Sequence, residues 1–237
     1  MDPLRHIVEP SRLLMTWQPA DEPGKLRTRR TVGEIVPATF EKNEWTFKYF
    51  LDTPDLIVAQ KAGFKGHPAF KLEDKEFSQG VRETMLRRLP PRSREDFPDF
   101  LAMHRLPNPF PLSDMALLGY TGAKLPSDGF ALLPQFPSTL APCEYILEIA
   151  GIRHVYKGSI DTICIGDVVN FQQEIDNEVD RNAIVVLHLG QRLGYVNRAF
   201  LSTFHAWMEC GSICASIERK NGTVERPIIY IRFRVNC

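Results

Sequence analysis

Three short runs in this sequence carry side chains able to do chemistry. Arg153-His154, bracketed by Gly151 and Gly158, sets a cation beside a flat ring. An arginine among apolar strand residues needs an anionic or aromatic partner. Phosphate is one candidate, and a loop carboxylate such as Asp180 is the other. The second run is Glu174 with Asp176-Asn177-Glu178-Val179-Asp180-Arg181-Asn182-Ala183-Ile184. Short polar side chains ahead of a strand satisfy turn backbone groups themselves. For Asp180 and Asn182 that structural role weighs at least as much as ligand contact. In the third run Tyr230, Arg232 and Arg234 alternate with Ile229, Ile231, Phe233 and Val235. One face is apolar, the other aromatic and basic. A solvated outer face is the ordinary meaning of such a pattern, and a groove that tracks a phosphate backbone is the sharper one.

Other combinations lead nowhere chemically. His205, Cys210 and Cys214 lack paired Cys-x-x-Cys knuckles and a convincing fourth ligand, so no metal is expected, and Cys210 and Cys214 read as core positions. No Ser/His/Asp or Cys/His set has a recognisable local context. No glycine-rich phosphate loop is followed by a catalytic Asp, an Asn and a metal-binding Asp in usable order. The chain is therefore expected to be no enzyme and to need no cofactor. Arg87, Arg88, Arg92 and Arg94 form a basic cluster, but Glu95, Asp96 and Asp99 follow at once. That favours a solvated helix end over a phosphate site.

The elements that must hold these side chains are legible from periodicity. Arg12–Trp17, Thr31–Val36 and Glu44–Phe50 read as strands, followed by a helix over Asp55–Ala62. Phe77, Val81, Met85 and Leu89 recur every fourth residue, predicting a helix that Pro90-Pro91 ends. Ser93 and Ser113 are N-cap candidates for two further helices, the second over Asp114–Leu118. Phe130–Leu133 is strand-like, and the proline-rich stretch Leu133–Pro142 reads as a linker. Then the character changes. Tyr145–Arg153, Val168–Ile175, Ala183–Leu189, Ile213–Arg219 and Pro227–Val235 all read as strands. One helix interrupts them near Arg198–Cys210, capped by Asn197, with Phe200, Leu201, Phe204, Trp207 and Met208 on one face. Gly211 is its stop signal. Asn221-Gly222-Thr223 reads as a hairpin turn.

Composition sets the outer limits. With 237 residues, 43% of them hydrophobic and 24% charged, the chain can build a sizeable core in one large domain or two small ones. No apolar run is long enough for a membrane helix and no signal peptide is evident. Five dispersed cysteines suit a reducing compartment, and a cytoplasmic location is expected. The 29 basic and 29 acidic residues cancel. From residue 143 onward there are 10 Lys/Arg against 11 Asp/Glu. Any nucleic-acid contact must therefore come from a local patch, not from a basic excess.

Taken together, the Gly151–Gly158 segment, the Asp180-Arg181-Asn182-Ala183-Ile184 run and Gly194-Tyr195-Val196 resemble the HIRAN domain in order and spacing. The resemblance covers about residues 143–237. It implies a small OB-like β-barrel that holds nucleic acid as a single-stranded end. By position it points to Arg153, His154, Asn177, Asp180, Asn197 and Arg198, and the alternating last strand adds Tyr230 and Arg232. The chain departs from the family at Glu178, where Pro is usual, and at Val179, where Tyr is usual. A second, more diffuse resemblance spans about residues 10–135. Val32-Gly33-Glu34-Ile35, Pro68-Ala69-Phe70, Arg88-Leu89-Pro90-Pro91, Leu117-Leu118-Gly119 and Gly122-Ala123 are similar to the N-terminal subdomain of HipA-type toxin kinases. That subdomain is non-catalytic, and separate versions of it act as kinase partners or antitoxins.

The expected architecture is α+β. A HipA-N-like domain over 1–137 is joined by a linker at 138–142 to a barrel with one helix over 143–237. The expected function is a nucleic-acid-binding adaptor of a bacterial or phage cytoplasm, with DNA ends as ligand. The alternative is a protein-interaction module that partners a HipA-like kinase in a toxin–antitoxin or defence system.

Overall fold

Strand and helix order follows from where apolar residues alternate and where glycine or proline interrupts them. The computed structural model describes residues 2–20, 28–39, 44–125, 127–137, 139, 142–223 and 226–236. It is a mixed α+β structure whose chain divides into two compact units, Met1–Pro3 with Glu9–Phe136, and Leu4–Val8 with Pro137–Cys237. Most of the proposed linker at 138–142 lies outside the described residues.

In the first unit the elements are β1 (Arg12–Trp17), β2 (Arg30–Thr39), β3 (Glu44–Tyr49), α1 (Pro54–Lys61), β4 (Glu76–Phe77), α2 (Val81–Leu86), α3 (Phe97–Met103), α4 (Asp114–Thr121) and β5 (Phe130–Gln135). The strands form one antiparallel sheet in the order β4-β3-β2-β1-β5. Alternation in β3 buries Trp45, Phe47 and Tyr49 and leaves Lys48 exposed. These rings join Val32, Ile35, Leu56, Phe70, Val81 and Met85 in one core. Ser113 caps α4 as its sequence promised, its Oγ accepting from the Ala116 amide at 3.1 Å.

Two helix expectations are corrected here. The run Phe77–Leu89 is not one helix. Phe77 pairs with Phe47 in β4, and Gly80 turns the chain with φ 69°, so α2 starts only at Val81. Ser93 caps nothing. Residues 91–96 form turns, and α3 begins at Phe97, with Pro98 in its first turn where a missing amide costs nothing.

Three arginines of the basic cluster, Arg88, Arg92 and Arg94, are paired off. Arg82 and Arg92 both reach Asp114 at 2.7 Å, and Arg94 reaches Asp96 at 2.6 Å. Arg88, buried, grips Asp128 through two bonds of 2.8 and 3.0 Å and donates to the Ala123 carbonyl. Asp96 beside Arg94, and Asp114 and Asp128 from further along the chain, thus take up most of the charge that might have held a phosphate.

The second unit contains β6 (Cys143–Glu148), α5 (Ile152–Val155), β7 (Val168–Gln173), β8 (Ile184–His188), β9 (Gln191–Tyr195), α6 (Leu201–Cys210), β10 (Ser212–Gly222) and β11 (Pro227–Asn236). Its sheet has six strands in the order β6-β11-β10-β7-β8-β9, one more than the sequence suggested. The extra strand, β9, is joined to β8 by the two-residue turn Leu189-Gly190, both at positive φ, a geometry that suits the twist of a hairpin. Beyond β6, Ala150 forms an antiparallel bridge with Tyr195 at the end of β9.

The core of this unit is aromatic. Phe204 lies 5.0 Å from Phe233 and 5.1 Å from Phe171, and Trp207 lies 5.7 Å from Phe233. Trp207, Phe204 and Phe233 are fully buried, and each such side chain contributes on the order of 1.5–3 kcal/mol by leaving water.

Three further expectations change. The strand from Tyr145 does not run to Arg153, because Gly151 takes φ 75° and starts the short helix α5. Cys214, expected in the core, is exposed, since Ala215 and Ile217 take the inward positions of β10. Asn221 and Gly222 end β10 rather than forming the turn, which follows them and lies partly outside the described residues. The side chain of Cys210 and all of Cys237 also lie outside them. Among the described residues, no helix is long and apolar enough to cross a membrane, and no group of His, Cys, Asp or Glu is placed to hold a metal ion.

Candidate nucleic-acid interface

Glu174, just past the end of β7, is the hub of the polar loop that precedes β8. Its Oε2 accepts from Asn177 Nδ2 at 2.6 Å and from the Tyr195 hydroxyl at 2.8 Å. Its Oε1 meets the Arg192 guanidinium at 2.5 Å. The hydrogen bonds from Asn177 and Tyr195 hold the Glu174 carboxyl below the usual carboxylate range. Burial, helped by the bond to Glu174, pushes the Tyr195 phenol up.

Asn177 and Asp180 fold the loop with their own side chains. Asn177 Oδ1 accepts from the amides of Val179 and Asp180 at 3.0 and 2.9 Å. Asp180 Oδ1 accepts from the Asn182 amide at 3.0 Å. This is the turn-building role that short polar residues ahead of a strand are suited to. The concave side of the loop, residues 175–181, bounds an open cleft of about 510 Å³. Ile175 and Val179 stand exposed on it, Val179 at 82%.

Asp180 does not pair with Arg153. Its Oδ2 lies 3.2 Å from Nε of Arg198 at the start of the helical segment that leads into α6. Asn197 caps that segment, its Oδ1 accepting from the Ala199 amide at 3.0 Å. Loop and helix start are thus tied together.

The turn of α5 comes to the same place through Tyr195. The backbones of Ala150 and Tyr195 exchange hydrogen bonds of 2.9 and 2.8 Å. A Cβ on Gly151 would lie 3.7 Å from the Tyr195 ring, and one on Gly194 would lie 2.6 Å from the Ala150 carbonyl. The Gly-Tyr pair therefore has a physical cause. Gly194 admits the crossing chain, and Tyr195 reaches past it to Glu174 and Asn177. Arg153 and His154 follow on α5, both exposed, with Arg153 Nε donating to His154 Nε2 at 2.9 Å. Among the described residues no carboxylate pairs with Arg153.

Tyr230 and Arg232 are held by other partners. The Arg219 guanidinium lies 4.2 Å from the Tyr230 ring centre, and Arg232 lies 3.1 Å from the buried carboxylate of Glu144. Burial raises the Tyr230 phenol above its ordinary value. The outer face of β11 thus presents one ring, Tyr230, followed by Arg232 and Arg234.

Sequence reasoning placed Tyr195 in a motif but gave it no role, and passed over Arg192. A half-buried tyrosine hydroxyl needs a polar partner, and Glu174, the acid ahead of the loop, was the available one.

No family model matches the chain, and no curated protein matches it. Solved structures that resemble it include the HIRAN domain of human HLTF, at 16% identity over 39% of this chain and 76% of that one, with a TM-score of 0.32. A protein from Lactobacillus plantarum resembles it at 19% identity over 38% of this chain and 92% of that one, with a TM-score of 0.30. Likenesses this partial do not define a family for the chain.

Proposed function

We propose that this chain is a non-catalytic nucleic-acid-binding adaptor whose C-terminal unit takes single-stranded DNA ends. In this reading the six strands act as a small barrel, with the Ala150–Tyr195 bridge as its seam. The ligand crosses the α5 turn, the loop of residues 174–183 and the start of the helical segment at Asn197. The observation that carries the reading is the Tyr195 junction. One side chain bonds the loop through Glu174 and Asn177 while its backbone holds the segment that leads into Arg153 and His154.

Each group then has a task. Arg153, with no carboxylate beside it, is the cation for a phosphate. His154 offers a ring on which a base can stack. Asn177 and Asp180 fix the loop against the strand end, and the exposed Val179 and Ile175 give the cleft an apolar wall. Arg198 reaches a phosphate only by leaving Asp180, so Arg153 outranks it as a contact.

The test is fluorescence anisotropy of the intact chain with a labelled short single strand and with a blunt duplex, at two salt concentrations. The single strand is expected to bind more tightly. The slope of log affinity against log salt is expected to be shallow, at about −0.7 per phosphate neutralised. Arg153→Ala is expected to weaken binding and flatten the slope. Equal binding by this variant and the wild type, or no binding at low salt, would overturn the reading.

A further inference from the structure

Glu144 on β6 is only 5% exposed. A carboxylate that deep needs several partners to offset its lost hydration. One is Arg232, on the neighbouring strand β11. The others come from far away in sequence. Oε2 of Glu144 accepts from two consecutive backbone amides, Arg5 at 2.7 Å and His6 at 3.4 Å. The Glu144 amide donates in return to the His6 carbonyl at 2.8 Å.

These contacts read the main chain. The Arg5 side chain is exposed and His6 half-buried, whereas Leu4, directly before them, is 3% exposed. Residues 4–8 belong to the C-terminal unit, while the residues on both sides of them, 1–3 and 9–136, belong to the other. Five residues thus engage this unit as a separate short segment, flanked by Pro3 and Pro10. Without them Glu144 would keep a single guanidinium partner, and β6 would present an open edge able to pair with another chain.

We propose that the edge of β6 around Glu144 is a docking site for an extended peptide strand, filled here in cis by Leu4–Val8. It grips the backbone by a paired-amide contact and takes one aliphatic side chain, that of Leu4. Recognition of this kind adds a strand to a sheet edge. Main-chain bonds supply the affinity and one pocket supplies the selectivity. The same site accepts the segment in trans when the cis copy is missing.

The intact chain provides the first test. In Glu144→Ala, hydrogen exchange of the Arg5 and His6 amides, followed by NMR, is expected to accelerate at least tenfold, with β5 amides unchanged. Unaltered exchange at Arg5 and His6 overturns the proposal. The second test uses the chain lacking residues 1–8 and a labelled peptide of residues 1–10, read by anisotropy. Saturable binding is expected, with no binding to the intact chain at the same concentration. Leu4→Asp in the peptide is expected to weaken binding at least tenfold, and Arg5→Ala to leave it within twofold. A folded truncated chain that ignores the peptide overturns the proposal. Where truncation prevents folding, the exchange measurement decides.

Discussion

The hydroxyl of Tyr195 and the carboxylate of Glu174, 21 residues apart in sequence, meet at 2.8 Å, with Asn177 bonded to both. The loop that carries the proposed DNA contacts is therefore fixed from outside itself, by β9, the second strand after it. Pre-ordering of this kind spares a ligand the cost of organising its own site.

Tyr195→Phe tests that link without touching a charge. Losing a hydrogen bond to a carboxylate is expected to cost about 1–2 kcal/mol of stability in urea unfolding. DNA affinity should fall several-fold while the salt slope stays at its wild-type value. A changed slope would mean that Tyr195 contributes to phosphate contact and does more than order the loop.

Val179→Tyr is expected to gain function. The side chain at 179 is 82% exposed on the cleft, so a larger ring needs no repacking. Stacking on one base is worth roughly 1–3 kcal/mol, which corresponds to single strands binding about 5- to 150-fold more tightly. The melting temperature should not move. Unimproved affinity would place the DNA away from the loop tip.

Gly194→Ala should damage the fold. The added methyl would meet the Ile149 side chain at 2.5 Å and the Ala150 carbonyl at 2.6 Å. The backbone contact cannot swing away, so a loss of about 1–3 kcal/mol or more is expected. Amide exchange should show the loss at Ala150 and Tyr195 first, and their continued protection would contradict the seam.

His67 gives the N-terminal unit a pH dependence. Its ring lies 5.2 Å from Phe70 and 5.0 Å from Phe130. Burial, aided by the Arg88 charge and opposed by Asp128, lowers it to about 4. The unfolded histidine takes up a proton near 6.5, well before the folded one does. Stability is therefore full above pH 6.5 and falls as the pH drops from there toward 4. The loss is on the order of 1–2 kcal/mol once solvent screening of a partly exposed ring is allowed for. His67→Gln should flatten this part of a pH series of urea melts. An equally steep fall in the variant would assign it to other groups.

How far the sequence revealed these features depended on range. Strand β3 and the caps at Ser113 and Asn197 were readable because alternation and capping are local. The break at Gly80 and the turn at Gly151 were not. Each depends on a glycine taking positive φ, and helical spacing from Phe77 to Leu89 masked the first. Strand β9 was hidden because Gln191 and Arg192 are polar and Gly194 lacks a side chain, so no alternation marks it. At the site, Arg153, His154, Asn177, Asp180 and Arg198 were legible as motif residues. Their pairing was not, because it depends on which charges meet in space. Asp180 meets Arg198, and Arg232 meets Glu144.

The Glu144 contact also bears on when the protein can finish folding. Arg5 and Glu144 are 139 positions apart. Contacts of such range close late, because the intervening chain must lose its freedom first. On a ribosome, Leu4 is made well before the residues from Pro137 onward whose unit it joins, so its burial waits for them. During that interval an apolar side chain and its bare backbone stay available to other molecules, and a chaperone has a defined segment to shield.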